Sequence, residues 1–276
     1  MKLASYIAHG VPAYGVVLDN GVVTIEGRYP TLKDLIAADA VDEVRRRLKN
    51  AKPDLPLEGL KFLPTITNPG KILCVGINYR SHAAEHGHAV AEKPNIFTKF
   101  TDCLCAHEGK MLRPKASSHL DYEGELVVVI GKGGRAIKAE DALSHVAGYT
   151  CFCDGSVRDF IKISLITGKN FPETSPLGPW MVTVDEIQDP SKLTLETRLN
   201  GQVMQHSGTD MLMHDVPALI AYCSTFTELS PGDIIATGTP EGIGAKRTPP
   251  VWMKDGDVLE VEISHIGTLR SHVVDE

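Results

Sequence analysis

The chain of 276 residues is long enough for one large domain, or for a large domain with a small one. Its hydrophobic fraction of 42% and charged fraction of 23% are typical of a globular protein. The net charge of −7 argues against a nucleic acid or an anionic membrane as partner. No stretch approaches the roughly 20 apolar residues of a membrane helix, and the N-terminus lacks a secretory signal, so we expect a cytoplasmic protein.

The first part of the chain predicts a small α/β unit. Two β-branched runs meet at Asn20-Gly21, a dipeptide typical of a hairpin turn. A single helix with apolar residues at helical spacing is predicted next, beginning after the capping residue Thr31. Proline-rich segments follow that helix. We therefore divide the chain into a small N-terminal α/β domain (1–68) and a larger domain (69–276).

The larger domain is β-rich. Seven segments have the short apolar and β-branched runs of strands: 71–79, 120–131, 145–155, 178–184, 192–204, 232–239 and 257–274. Three segments have the composition of helices: 80–90, 156–166 and 215–228. The pattern predicts an α+β fold, a mixed and mainly antiparallel barrel or sandwich rather than a doubly wound parallel sheet.

Acidic residues stand at alternate positions near the start of the segment 120–131. Side chains alternate between the faces of a strand, so Asp121, Glu123 and Glu125 would share one face. Glu123 and Glu125 would lie roughly 7 Å apart along the chain, and Asp154 ends another apolar run. A half-buried set of carboxylates needs a cation and suits Mg²⁺ or Mn²⁺, Ca²⁺ less well, and not zinc. A charged, solvated face is the alternative interpretation.

The sequence NYRSHAAEHGH, residues 78–88, has two interpretations. His82, Glu85 and His86 fit the H-x-x-E-H pattern of some zinc peptidases. That pattern needs a third ligand on a downstream helix, and we identify none. Alternatively, His82 and Glu85 lie one helical turn apart and form an acid–base pair beside a metal that other residues hold. His86 and His88 are then solvated neighbours.

The six cysteines include two C-x-C pairs, Cys103 with Cys105 and Cys151 with Cys153. Four thiolates could bind zinc. Both pairs lie in apolar, strand-like segments, and buried free cysteine is common. Reduced thiols are therefore the favoured interpretation for an intracellular protein.

Several motifs together resemble one family. The motifs are the segments GINYRSHAAE, LDYEGELVVVIG, CDGSVRD, GKNF with PLGPW, and GDIIATGTPEGIG. Their order and spacing over about residues 70–276 resemble those of the fumarylacetoacetate hydrolase family. The resemblance implies an α+β fold with a mixed, mainly antiparallel β-roll or barrel in a catalytic domain, preceded by a variable small N-terminal unit. It also implies a homodimer.

The resemblance assigns roles to residues by their place in these motifs. The implied ligands of Mg²⁺ or Mn²⁺ are Glu123, Glu125 and Asp154, with Asp121 as a supporting residue. The implied catalytic residues are His82, Glu85 and Lys169. The implied substrate-binding residues are Tyr79, Gly238 and Thr239.

The implied activity is hydrolysis of a C–C bond in β-diketo acids of the acylpyruvate type, which releases pyruvate through a metal-stabilised enolate. In this hypothesis His82, oriented by Glu85, activates water, and Lys169 stabilises the negative charge of the enolate. The alternatives are isomerase or decarboxylase action on 2-oxo dicarboxylates of aromatic catabolism, or lyase, dehydratase or aldolase chemistry. A metal-binding protein without catalysis is disfavoured, because all three residues are present.

The chain also departs from the pattern of the family near the expected substrate pocket. Ile77 stands where some relatives have arginine, Ile161 where glutamine is common, and Pro172 where aspartate is common. The implied metal ligands are unaffected. We therefore expect an altered pocket, and the resemblance does not fix the substrate.

Overall fold

The computed structural model describes residues 1–85, 87 and 92–276. The strands are β1 (Lys2–Ala8), β2 (Val11–Leu18), β3 (Gly21–Thr24), β4 (Leu55–Pro56), β5 (Lys61–Phe62), β6 (Ile72–Gly76), β7 (Asn95–Lys99), β8 (Leu104–Cys105), β9 (Gly109–Arg113), β10 (Leu120–Asp121), β11 (Gly124–Ile130), β12 (Val146–Cys153), β13 (Ser156–Val157), β14 (Ser175–Thr183), β15 (Thr194–Leu199), β16 (Gln202–Gly208), β17 (Ile234–Ala236), β18 (Val258–Ile263) and β19 (Gly267–Asp275). The α-helices are α1 (Leu32–Ala37), α2 (Val41–Arg47), α3 (Arg80–Glu85), α4 (Arg158–Ile161), α5 (Leu165–Lys169) and α6 (Val216–Phe226).

The strands form two packed sheets and a short ribbon. The larger sheet has the order β4-β3-β2-β1-β14-β12-β11-β17-β6-β7, with β5 beside β1 and β8 beside β14. The smaller sheet has the order β16-β15-β18-β19-β9, and it packs against β11, β12 and β14 of the larger one. β10 pairs with β13. The predicted α+β class with mixed, mainly antiparallel sheets is confirmed, and the sheets of the described residues do not close into a barrel.

β11 is the most deeply buried strand next to the candidate site. Leu126, Val128 and Ile130 pack in the hydrophobic cluster that includes the smaller sheet, whereas Val127 and Val129 pack in the cluster beneath α1 and α2. Both faces of this strand are therefore covered, which explains its unbroken apolar run. Burial of each such side chain stabilises the fold by about 1.5–3 kcal/mol. The strand is a rigid base for the acidic residues at its beginning.

The N-terminal hairpin is confirmed, with Leu18 paired to Gly21. The cap at Thr31 is also confirmed, because its hydroxyl accepts a hydrogen bond from the backbone N–H of Asp34. The prediction of a single helix is wrong. Asp39 adopts a left-handed φ of 53°, and the N–H of the next residue donates to a carbonyl five positions back, which ends α1 before α2 begins.

The N-terminal strands continue the sheet of the larger domain. β1 pairs with β14, with Lys2 opposite Val182, so the backbone hydrogen bonding runs unbroken between the two parts of the chain. The division at residue 68 stays a prediction. No helix in the described part of the chain is long and apolar enough to span a membrane.

Two other predicted segments differ from the structure. The predicted helix over 156–166 is wrong in its bounds, because 156–157 form β13 and two short helices follow. Pairing of β13 with β10 requires extended backbone there, and it brings Arg158 close to Asp121. In the predicted helix over 80–90, α3 accounts for 80–85, and His86 and His88 lie outside the described residues.

His107 supports the packing of the N-terminal unit in its neutral form. Its ring packs edge-on against Phe62 at 4.9 Å between centroids, and its Nδ1 accepts a hydrogen bond from the N–H of Arg270. Burial lowers the pKa of His107 to about 4, against an unfolded value near 6.5. The stability that this group contributes is therefore complete above pH ~6.5 and is lost as the pH falls towards ~4.

We predict that the free energy of unfolding of the wild-type protein falls when the pH is lowered from 7 to 5. This fall should be about 1–2 kcal/mol larger in the wild type than in His107→Asn. Asparagine keeps an acceptor near the N–H of Arg270 but does not titrate. Denaturant unfolding at both pH values measures the difference, with His206→Asn on the exposed surface as the control. An equal loss in all three proteins would contradict the assignment.

Candidate metal centre and active site

Three predicted carboxylates meet in the interior of the protein. Oxygen atoms of Glu123, Glu125 and Asp154 all lie within 4.8 Å of one another, and each residue is at most 6% exposed. The register of β11 with β12 places Gly124 opposite Cys153, which sets Asp154 beside the two glutamates. The N–H of Asp154 donates to the carbonyl of Glu123 at 2.8 Å. Antiparallel pairing thus assembles the cluster, which we call the carboxylate triad.

The segment 120–131 is not the continuous strand that the alternating pattern predicts. It breaks between β10 and β11, and Asp121 does not join the carboxylate triad. Its carboxylate accepts hydrogen bonds from the N–H groups of Gly244 and Ala245 and from the guanidinium of Arg158. The physical reason is that the backbone must turn at this point, so the three acids do not share one pleated face. Asp121 supports the site at one remove, as the resemblance implied.

Three cationic side chains surround the carboxylate triad, and two of them, Lys99 and Lys169, are buried. Lys169 Nζ lies 2.7 Å from a Glu123 oxygen and 2.6 Å from an Asp154 oxygen. Lys99 Nζ lies 2.7 Å from the other Asp154 oxygen, and Arg158 lies 2.6 Å from the other Glu123 oxygen. The structure therefore brings the predicted Lys169 to the triad and adds two cations that the sequence did not assign to it.

Glu125 is the carboxylate without a cationic partner. Among the described residues it forms no ion pair, and its one hydrogen bond comes from the Gly238 N–H at 2.8 Å. Burial and the negative charges of Asp154 and Glu123 raise the pKa of Glu125 well above its ordinary value. Burial also opposes ionisation of Glu123, but Lys169 and Arg158 outweigh it and lower the pKa of that carboxyl. A divalent cation bound at the triad would reverse this effect, because it would stabilise the ionised form of Glu125.

The donor atoms of the triad fit a hard divalent cation. All are carboxylate oxygens, which suit Mg²⁺ and Mn²⁺ rather than zinc. In the described part of the chain, no cysteine or histidine joins a potential metal cluster, and the six cysteines are buried and free. The Cys₄ zinc alternative therefore does not form. The zinc peptidase alternative lacks a described cluster, and its His86 lies outside the described residues.

His82 and Glu85 form the predicted pair. His82 Nδ1 lies 2.9 Å from a Glu85 oxygen, and the other Glu85 oxygen accepts a hydrogen bond from the N–H of Gly242 at 3.1 Å. His82 is buried, and its charge acts on Glu123, so the imidazole lies near the triad. The Glu85 carboxylate favours the tautomer with the proton on Nδ1. In that tautomer the other ring nitrogen, Nε2, is the basic one.

The backbone that leads into helix α3 is constrained. Ile77 has a left-handed φ of 55°, which is rare for a β-branched residue and costs about 1–3 kcal/mol. The Asn78 side chain holds this conformation through hydrogen bonds to the backbone of His214 and Thr237. Tyr79, which follows, is fully buried, and its hydroxyl has no partner among the described residues. The strain is located where the chain enters the site.

The segment 237–244, which we call the 237–244 loop, covers the triad. Gly238 has φ +100°, and a Cβ there would lie 2.8 Å from the Cβ of Asn78, so glycine is required. The backbone N–H of Gly238 donates a hydrogen bond to Glu125, so in this structure it contacts the triad directly. Thr239, the other predicted substrate-binding residue of this loop, is 3% exposed and is held by Gln205.

Sequence reasoning missed Lys99 and Gln205. Lys99 ends β7, a strand that was not predicted, and a lysine at the end of a β-branched run usually points to solvent. Gln205 lies one residue beyond the predicted strand segment 192–204, and its partners are 81 and 34 positions away in the chain. The available signal was a polar side chain at an alternate position within a strand. That signal alone does not distinguish a buried site residue from a solvated one.

We predict that Glu125→Gln weakens Mn²⁺ binding by about 100-fold or more, because it removes the charge that no internal cation balances. Calorimetric titration of the metal-stripped protein with Mn²⁺ measures the change. Glu140→Gln, at an exposed carboxylate with 74% side-chain exposure, is the matched control. Wild-type affinity in Glu125→Gln would rule out the triad as the metal site.

Comparison with known proteins identifies the family of the chain. Residues 71–274 match the family model described as fumarylacetoacetate (FAA) hydrolase, C-terminal. The mitochondrial oxaloacetate tautomerase FAHD2A of Bos taurus is 40% identical over 264 residues, which cover 92% of this chain and 84% of the relative.

Solved structures extend the likeness to the whole chain. The 5-carboxymethyl-2-hydroxymuconate delta-isomerase of Mycobacterium smegmatis is 30% identical, with a TM-score of 0.80 over 100% of this chain and 99% of that one. The maleylpyruvate hydrolase of a Sphingobium species, solved with manganese(II) and pyruvate, is 27% identical, with a TM-score of 0.85 over 100% and 99%. The chain belongs to the fumarylacetoacetate hydrolase family.

Proposed function

We propose that this protein is a divalent-metal-dependent enzyme that interconverts the keto and enol forms of a 2-oxo dicarboxylate such as oxaloacetate. The observation that carries the proposal is the buried carboxylate triad, in which Glu125 has no cationic partner among the described residues, next to the His82–Glu85 pair. The 40% identity to a tautomerase supports isomerisation over the acylpyruvate hydrolysis expected from the sequence. The metal is Mg²⁺ or Mn²⁺, and the Mn²⁺-containing relative supports this choice.

The charges of the site favour an anionic substrate. The acidic side chains Asp121, Glu123, Glu125 and Asp154 outnumber the cationic Lys99, Arg158 and Lys169 by one. A divalent cation in the triad would add two positive charges to this group. A substrate with one or two carboxylates would then be attracted to the cation and to Lys169, within a buried environment where unpaired charge is costly.

The residues of the chain divide the work of the reaction. A divalent cation in the triad supplies Lewis acidity that makes the hydrogens beside a keto group more acidic. Tautomerisation moves one proton between C3 and the C2 oxygen, while the double bond shifts between C2–O and C2–C3. His82 accepts or returns that proton at Nε2, since Glu85 favours the proton on Nδ1. Thr239 binds a carboxylate, and Lys169 stabilises developing negative charge near Glu123 and Asp154.

Hydrolysis of a C–C bond in an acylpyruvate is the second candidate. It is favoured by the orientation of the His82–Glu85 pair, which suits removal of a proton from water as well as from carbon. The maleylpyruvate hydrolase with bound pyruvate has the same fold at lower identity. The homodimer and the cytoplasmic location stay predictions, and the relatives named as mitochondrial do not settle the location of this chain.

One set of assays separates these activities. Metal-stripped protein is reloaded with Mn²⁺ or Mg²⁺, and the decay of enol absorbance of oxaloacetate is followed together with pyruvate release. We expect metal-dependent equilibration of oxaloacetate without pyruvate. Pyruvate from acetylpyruvate would instead favour hydrolysis, and pyruvate from oxaloacetate would favour decarboxylation. If none of these reactions responds to metal, the proposal fails.

We predict that His82→Gln lowers kcat by about 10²–10⁴-fold, the usual contribution of a general acid–base group, and leaves Mn²⁺ affinity within a few-fold of wild type. Glu85→Gln should lower kcat less, because the imidazole remains. Steady-state kinetics and metal titration provide both readouts, with His206→Gln on the surface as the control. An undiminished kcat in His82→Gln would remove this residue from the mechanism.

A further inference from the structure

We propose that Gln205 is a positioning residue that makes the hydroxyl of Thr239 a hydrogen-bond donor to an anionic oxygen of the substrate. The inference rests on the proposed function, since it names a determinant of binding at the same site. It is carried by three buried hydrogen bonds that Gln205 forms with two separate segments around the carboxylate triad.

Gln205 connects the smaller sheet to both segments. It lies on β16 and is 2% exposed. Its side-chain oxygen accepts a hydrogen bond from the N–H of Gly124 at 3.0 Å. Its side-chain nitrogen donates to Thr239 Oγ1 at 2.7 Å and to the carbonyl of Pro240 at 2.9 Å. Every polar group of this amide is engaged in geometry typical of good hydrogen bonds.

The partners determine which way the amide faces. A backbone N–H only donates, so the side-chain oxygen must face Gly124. A backbone carbonyl only accepts, so the NH₂ group must face Pro240, and the same NH₂ group then faces Thr239. An amide flip would lose both of these contacts. The orientation therefore follows from backbone chemistry and does not depend on an assigned atom label.

The direction of the Thr239 hydrogen bond has a consequence for the substrate. Thr239 Oγ1 accepts from Gln205, so its own proton must be donated to another atom. In the described part of the chain, no acceptor for that proton is found. Gly238, the preceding residue, contacts Glu125, so the hydroxyl lies beside the triad. It is thus a donor that suits a carboxylate and disfavours a second donor group.

A local irregularity of β16 produces this arrangement. The register of β15 with β16 shifts between Thr197 and Arg198, which leaves Met204 as an extra residue next to Gln205. The Met204 carbonyl accepts a hydrogen bond from Arg247 at 2.5 Å, and a Cβ on Gly242 would lie 2.2 Å from that carbonyl. Two adjacent residues of the bulge therefore hold the 237–244 loop.

The side-chain amide of Gln205 also connects the Thr239 hydroxyl to the strand of the proposed metal ligands. Gly124 stands between Glu123 and Glu125, so its N–H bond to Gln205 fixes the strand that carries both ligands. The distance between the triad and the hydroxyl of Thr239 is set by one planar group. We therefore expect Gln205 to act on substrate affinity more than on the proton-transfer step.

The test compares KM and kcat across a small set of variants. Gln205→Glu keeps the acceptor for Gly124 but loses both N–H donors, and Gln205→Met loses all three bonds. Thr239→Val removes the hydroxyl, and Thr239→Ser keeps it as the matched control. We expect Gln205→Glu and Thr239→Val each to raise KM by about 10- to 100-fold, the effect of losing a hydrogen bond to a charged group. Their kcat should change by less than about 3-fold, and Thr239→Ser should resemble wild type.

The double variant Gln205→Glu with Thr239→Val distinguishes positioning from general support of the fold. Once the hydroxyl of Thr239 is absent, Gln205 can no longer orient it. The KM of the double variant should therefore equal that of Thr239→Val alone within about 2-fold. A KM increase in the double variant equal to the product of the two single increases would overturn the inference. So would wild-type KM in both Gln205→Met and Gln205→Glu.

Binding of oxalate to the Mn²⁺-loaded protein, measured by calorimetry, tests the inference independently of turnover. Oxalate is a planar dianion that resembles the enolate of a 2-oxo acid. If wild type turns over none of the 2-oxo acids, the proposed function fails, yet weaker and non-additive oxalate binding in the two variants would still support the role of Gln205. If wild type fails to bind oxalate as well, both proposals fail. Loss of Mn²⁺ affinity in Gln205→Glu without loss of oxalate affinity would indicate a purely structural role.

Discussion

Close burial of three carboxylates is the constraint on which the rest of the site depends. Glu123, Glu125 and Asp154 have oxygen atoms within 4.8 Å of one another in the interior, where an unpaired charge costs several kcal/mol. The fold meets this cost with the buried ammonium groups of Lys99 and Lys169 and with a guanidinium, yet leaves one carboxylate without a cation. This deficit supports the proposed binding of a divalent ion at the triad and, once that ion is bound, of an anionic substrate beside it.

The backbone around the triad is held in place by packing and by side chains of the site. β11 is covered on both faces, so its beginning is fixed by packing, and the 237–244 loop is fixed by side chains that extend from four other segments. Glu125 holds Gly238, Gln205 holds Thr239, Glu85 holds Gly242 and Asp121 holds Gly244. The acids of the site thus hold the loop that covers them. The predicted metal ligands, the predicted acid–base pair and the predicted substrate-binding residues therefore form one connected unit.

The sequence predicted which acidic side chains meet better than how the backbone brings them together. The α+β class and the grouping of Glu123, Glu125 and Asp154 followed from alternation, apolar runs and resemblance, although the strand that was expected to align them is broken after Asp121. β11 begins after this break at Gly124, which packs against a distant strand, where a Cβ would lie 2.1 Å from Thr197 Oγ1. The break between α1 and α2 at Asp39 was likewise not predicted. The positions of Lys99 and Gln205 in the site depend on contacts that no local pattern encodes.

Diffraction from crystals of the protein soaked in Mn²⁺, collected near the manganese absorption edge, tests the central claim most directly. The account predicts one anomalous peak within bonding distance, about 2.0–2.4 Å, of oxygens of Glu123, Glu125 and Asp154. Lys169 Nζ should then withdraw from its present position between Glu123 and Asp154. A crystal in which that ammonium remains in place and manganese binds elsewhere would contradict the account.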